Sequence, residues 1–346
     1  MRNRRQLKYF FEKTFYKRNK EYLMRKRTIV ALICLLFSTP LLAVPLDKKE
    51  VAAEAKWLLH LDLDAFHTSQ FGTLVLDEVK AEHQDQIDAF KELFGVDLTQ
   101  DITSLTAYGV DADEDNTVAL FHGTFDRQKL TTLLKLNPNY SSMEYDNHTI
   151  HFWKEKESDD LQAGAFAANG VITICHTEEA IKTAIDVLSG KNKSLDADPD
   201  DPLYNLTQQT GSPIIIAATD SLSELTDDDN QAAVLKNSKM LAVLAAEDDG
   251  QLTLSIELVT ENAEAATQIE QILRGVIAFA SLETNDKSDM GPLKALLQNL
   301  SLSRTDNQLN LNFSYPSADL FELLKSADDL DIDLDLDDFD VDIDFD

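Results

Sequence analysis

The chain is nearly without cysteine, with Cys34 and Cys175 the only two in 346 residues. That excludes a disulfide framework as the source of stability, and paired-cysteine metal motifs with it. Glycine (11) and proline (8) are sparse, so collagen-like and low-complexity classes are excluded as well. Bases are few beside acids, 31 against 62, for a formal charge of −31 at pH 7. Such a surface repels phosphate backbones and anionic lipid headgroups, which argues against nucleic acid and membrane surfaces as partners. There is no GxSxG, HExxH, P-loop or GxGxxG pattern, so no motif names a reaction.

What bases there are concentrate at the start. Residues 1–27 hold eleven Lys or Arg against Glu12 and Glu21, followed by the apolar run Ile29 to Phe37 and then Ser38-Thr39-Pro40-Leu41-Leu42-Ala43. A basic segment, an apolar segment and a small residue at the end are the parts of a secretory signal peptide, expected over residues 1–43 with cleavage after Ala43. Counted from Met24 its length is ordinary, which suggests Met24 as the true start. The apolar run is too short for a spanning helix of about 20 residues, so no integral membrane segment is expected after cleavage. Removing these eleven bases and two acids from 31 and 62 leaves 20 and 60, a formal charge of −40. Cationic partners or divalent ions are compatible with that charge, and so is plain solubility. Cys175 then stands alone in the apolar strand Val171 to Cys175, as a buried small hydrophobe.

The remaining chain reads as one pattern used twice. Ser104 to Thr124 is a strand, an acidic turn and a second strand, and Lys239 to Thr260 repeats that figure; both lead into an amphipathic helix. Trp57 to Leu63 alternates as a strand, and a helix with Phe71, Leu74, Val75, Val79, Ile87, Phe90 and Phe94 follows, closed by Gly95. Asp126 and Thr177 are placed as helix caps, while Asp146-Asn147 and Asn169-Gly170 sit where hairpins turn. Residues 50–190 are expected as a first α+β domain, 191–211 as a linker, 212–326 as a second α+β domain repeating the first, and 327–346 as an acidic tail. The fold class expected is α+β, two similar tandem domains of mainly antiparallel sheet with helices packed on one face in a ferredoxin-like manner.

Few residues suggest chemistry. All seven histidines precede residue 180. His60 and Asp62 project from one face of the first strand, with His122 and His151 on later strands of the same half, so the four could converge as N and O ligands of a divalent metal. Scattered strand histidines satisfied by hydrogen bonds are the commoner outcome. The turn Asp111 to Asn116 resembles a calcium loop, but its sixth and twelfth places are Asn116 and His122 where Gly and Glu are required. It reads as a solvated acidic turn.

The tail alternates Asp with Ile332, Leu334, Leu336, Phe339, Val341, Ile343 and Phe345, broken only at Asp337-Asp338. An extended segment of that kind is apolar on one face and anionic on the other. It is a candidate for a solvated acidic tail, for addition to a sheet edge in this protein or a partner, or for binding calcium.

Trp57-Leu58-Leu59-His60-Leu61-Asp62-Leu63-Asp64, with Ser69, Phe71-Gly72, Tyr108-Gly109 and Phe125-Asp126, resembles a family of signal-peptide-bearing proteins from planctomycete and verrucomicrobial bacteria. The resemblance covers residues 56–190, implies export, and carries no catalytic residue or cofactor. The function expected is that of an exported, non-enzymatic binding or interaction protein of the cell envelope or extracellular space, with an unidentified protein or envelope partner. Two alternatives are a metal-dependent hydrolase using His60, Asp62, His122 and His151, and a calcium-responsive assembly protein acting through the tail.

Overall fold

A computed structural model describes residues 45–154, 161–168, 170–207, 213–222, 237–285 and 291–328. The expected signal segment lies outside the described residues, as does the acidic tail except for residues 327 and 328, which end the last helix. The first half contains β1 (Trp57–Asp62), α1 (Leu63–Thr68), α2 (Gln70–Phe94), β2 (Ile102–Gly109), β3 (Thr117–Gly123), α3 (Arg127–Leu134), β4 (Ser141–Tyr145), β5 (His148–Lys154), β6 (Leu161–Ala168), β7 (Val171–Cys175), α4 (Glu178–Leu188) and α5 (Pro202–Leu206). The second contains β8 (Ile215–Thr219), β9 (Ser238–Asp248), β10 (Gln251–Thr260), α6 (Ala263–Asn285), α7 (Gly291–Gln298), β11 (Leu300–Thr305), β12 (Gln308–Pro316) and α8 (Ser317–Asp328).

All twelve strands form one sheet, every described pair antiparallel, in the order β11-β12-β10-β9-β8-β1-β2-β3-β7-β6-β5-β4. The fold is α+β. Outward from the central β1–β8 pair, β1-β2-β3-β7-β6 on one side meets β8-β9-β10-β12-β11 on the other, and the hairpin β4–β5 extends the first side. The halves share this sheet, since β1 bonds to β8 from Trp57↔Thr219 to Leu61↔Ile215.

Local chemistry sets many of these boundaries. Asp62 accepts a bond from Ala65 N at 2.8 Å, which ends β1 and starts α1 one residue before the strand expected to run through Leu63. Ser69, Asp126 and Thr177 cap α2, α3 and α4 by accepting from Gly72, Lys129 and Ala180. Gly95 (φ 72°) terminates α2 in the left-handed region. Asp146 and Asn147, at φ 48° and 62°, make the tight β4–β5 turn that needs two positive φ values.

Side-chain parity assigns two faces. Leu58, Tyr108, Val118, Cys175, Ala163 and Phe152 lie in one cross-strand row on the front, all buried. α4 covers them through Ile181, Ala184 and Ile185. On the back, Leu61 and its neighbours pack on Leu63, Leu76 and Val96 from α1, α2 and the segment after it, while Leu309 packs on Ala266 and Ile269 of α6. Helices therefore cover both faces, where one covered face was expected: α4 covers the front of the first half, while α1 and α2 of the first half and α6 of the second cover the back. Residues 191–207 also differ from a spacer: Leu195 and Leu203 are at most 1% exposed within the front core, and Ser194 bridges to Ala52. Leu195 and Leu203, with Tyr204 and Leu206 beside them, anchor this stretch to that core.

Candidate functional site

The four proposed metal ligands do not come together. His60, Asp62 and His122 share the front face, and β2 intervenes, its Ser104 standing between Asp62 and His122 in one row. His151 falls in the row of Leu59, on the back, and its strand is five places from β1, roughly 24 Å at about 4.8 Å per strand. Each side chain has local work. His60 Nδ1 lies 2.9 Å from Thr106 Oγ1, Asp62 caps α1, and His122 Nε2 meets Glu50 at 2.8 Å. Among the described residues no three His, Cys, Asp or Glu side chains form a group able to hold a metal. The acidic turn is tied to itself: Asp111 accepts from Asp113 N and Asn116 Nδ2, and its carbonyl accepts from Trp57 Nε1.

Two clefts remain. The first, about 630 Å³, lies between the halves and is lined by α1–α2 residues such as Ser69 and Gln70 and by Glu247 to Gly250. Its central charge is already engaged, because Glu247 accepts from Gln70 N (2.5 Å), Phe71 N (2.8 Å) and Ser317 Oγ (2.6 Å). This is an anion at a helix N-terminus supplied by the chain itself, a clasp between halves.

The second cleft, about 510 Å³, opens on the back beyond α3, against β4, β5 and β6. Its lining is Arg127, Thr131, Lys135, Tyr140, Ser142, Asn147, His148, Thr149, His151, Phe166, Ala167 and Ala168, with no carboxylate among them. Arg127 donates to Ala168 O at 2.6 Å and lies 5.3 Å from the Phe166 ring centre. Lys135 is exposed, and neither cation meets an acid among the described residues. His148 faces two carbonyls, Asp146 O and Ala167 O, each at 2.8 Å from a ring nitrogen.

His151 forms the floor. It is 5% exposed, stacks on Tyr140 with centroids 5.9 Å apart, and meets Phe166 edge-on at 6.1 Å. Its Nδ1 shares a hydrogen bond of 3.0 Å with Tyr140 Oη, which leaves Nε2 as its second polar atom. Burial holds the imidazole below its ordinary range, the Lys135 charge adds to that, and Glu144 opposes it. Near neutral pH the ring is uncharged and polarised toward accepting a proton if a negative group arrives. Glu144 itself is engaged by Thr149 at 2.8 Å.

Arg127, Lys135, Tyr140 and His148 had not stood out in the sequence. One signal was present: Arg127 to Met143 carries three bases and no acid, in a chain with twice as many acids as bases.

No family model matches the chain, and no curated protein matches it. Among solved structures it is similar to crystal forms III, I and IV of TP0453, with TM-scores of 0.45, 0.43 and 0.43 and identities of 10%, 10% and 8%. These cover 81%, 83% and 82% of this chain and 98%, 99% and 97% of those. Similarity at that level carries no functional argument.

Proposed function

We propose that the chain is an exported, non-enzymatic binding protein that takes an anionic group in the cleft between α3 and strands β4–β6. One observation carries this reading: in a protein with 62 acids and 31 bases, a cleft of about 510 Å³ is lined by two cations and two imidazoles and by no carboxylate. Arg127 and Lys135 supply the charge, Tyr140, His151 and Phe166 an aromatic wall, and Ser142, Asn147 and Thr149 further polar groups.

Inorganic phosphate and N-acetyl-aspartate are suitable probes, titrated by calorimetry at low salt. Saturable binding weakened at least fivefold by Lys135→Ala and by Arg127→Ala supports the reading. Binding that is absent from both the full chain and a chain ending at Asp328, or indifferent to both substitutions, refutes it.

A further inference from the structure

The cleft lies beside one end of the sheet. Among the described residues β4 pairs with β5 alone, so its other edge offers backbone groups that no described strand takes up. Its sequence, Ser-Ser-Met-Glu-Tyr, has no Pro or Lys and only one acid, and thus few of the devices that keep an edge from pairing. The opposite end of the sheet differs, because Arg274 of α6 donates to Leu302 O of β11 and α6 packs against that strand.

The two faces of β4 have different chemistry. Met143 and Tyr145 pack on the front core, whereas Ser142 and Glu144 point to the back with His151 and Thr149, Ser142 toward the cleft and its cations and Glu144 accepting from Thr149 Oγ1. A strand added there finds apolar cover on one side and, on the other, the Arg127 and Lys135 side of the cleft next to Ser142, with Glu144 the one acid of β4 on that face. Residues 329–346 alternate in that way, Asp against Phe339, Val341, Ile343 and Phe345.

We propose that this acidic segment of the same chain pairs with the free edge of β4, its apolar row extending the front core and its Asp row lying along the Arg127–Lys135 side. The proposal rests on the reading of the cleft as an anion site. The chain is long enough. α8 ends at Asp328, and its Lys325 reaches Glu78 of α2. From Glu78 along α2 to Gly95 is about 26 Å at 1.5 Å per residue, and α2 meets α3 where Lys129 donates to Glu92 O. Another ~10 Å along α3 leads to Lys135. An extended segment spans roughly 60 Å over these residues at about 3.3 Å each, leaving its last seven or so to pair. Tethering makes the contact intramolecular, at an effective concentration free peptide does not reach.

Hydrogen exchange read by mass spectrometry tests this on the full chain and on a chain ending at Asp328. The expected result is exchange of the Ser141–Tyr145 peptide at least tenfold slower in the full chain, independent of protein concentration, and slowed again in the shorter chain when peptide 329–346 is added. Should the shorter chain not fold, the full chain carrying Asp340→Asn, Asp342→Asn and Asp344→Asn is expected to lose most of the protection. Equal exchange in folded full and shortened chains overturns the proposal, and protection that grows with protein concentration assigns the contact to a second copy and overturns it too. Inorganic phosphate separates the two readings: if it still binds the shortened chain at Lys135 while the peptide fails to compete, only this inference falls, and if neither binds, the cleft reading falls with it.

Discussion

Glu247 provides a worked test of how the halves are held. Its carboxylate, at the end of β9, accepts from Gln70 N, Phe71 N and Ser317 Oγ at 2.5, 2.8 and 2.6 Å, joining the second half to the start of α2 and of α8. In Glu247→Ala the two amides regain water, since Gln70 is exposed, and only the charge–dipole part is lost, about 0.5–1 kcal/mol. Ser317 is 0% exposed, so its hydroxyl is left buried without its acceptor at about 1–3 kcal/mol. The total is about 1.5–4 kcal/mol. Glu247→Gln keeps an acceptor and the volume and should lose roughly half of that. α2 itself survives, because Ser69 still accepts from Gly72 at 2.9 Å. Urea unfolding at pH 7 reads the effect as a lower midpoint with unchanged slope. Paired with Ser317→Ala, the cycle should show coupling of about 1 kcal/mol or more. An alanine variant within about 0.5 kcal/mol of the parent would refute the clasp, because that is the scatter of ordinary surface substitutions.

Other consequences follow from single residues. His67 is driven down to about 3 by burial first and the Lys80 charge second. The unfolded chain therefore binds a proton there below about pH 6.5 that the folded chain refuses, and stability falls with pH through that window by about 1 kcal/mol per unit. Urea midpoints between pH 6.5 and 5 should flatten in His67→Leu; parallel curves would remove His67 from the account. The Cys175 thiol is pushed up to about 12 by burial and is 1% exposed, so alkylation of its peptide should track global unfolding, and rapid labelling at pH 8 would contradict the packing. A Cβ at Gly72 would stand 1.9 Å from Phe66 O at the α1–α2 corner, so Gly72→Ala should lower thermal stability by several degrees or prevent folding, and a neutral effect would mean that corner relaxes freely.

The legible parts of the sequence were those whose cause is local. Gly95, Asp126, Thr177 and the Asp146-Asn147 turn act through their own backbone neighbours, and their structural roles match their chemistry. α1 was hidden because Leu-Asp-Leu-Asp continues the alternation of β1, and only the Asp62 bond to Ala65 N breaks it. Residues 191–207 were hidden because Leu195 and Leu203 sit among Asp and Asn with no period. The cleft depends on strand order: β7 and β6 come between β3 and β5, and that insertion carries His151 five strands from His60 and onto the other face. Nothing within a strand's own residues encodes its place in the sheet.

The central claim is that an anion enters the cleft over His151. The direct measurement is the ¹³C-edited NMR titration of the His151 imidazole with pH, with and without inorganic phosphate at low salt. An anion near the ring favours its protonated form, so the account predicts that the titration midpoint rises with phosphate and that affinity increases as pH falls through it. Lys135→Ala should raise the midpoint of the free protein, by removing a like charge, and weaken the phosphate effect. A His151 midpoint unmoved by phosphate, in protein shown by calorimetry to be saturated, would place the bound anion elsewhere and contradict the account.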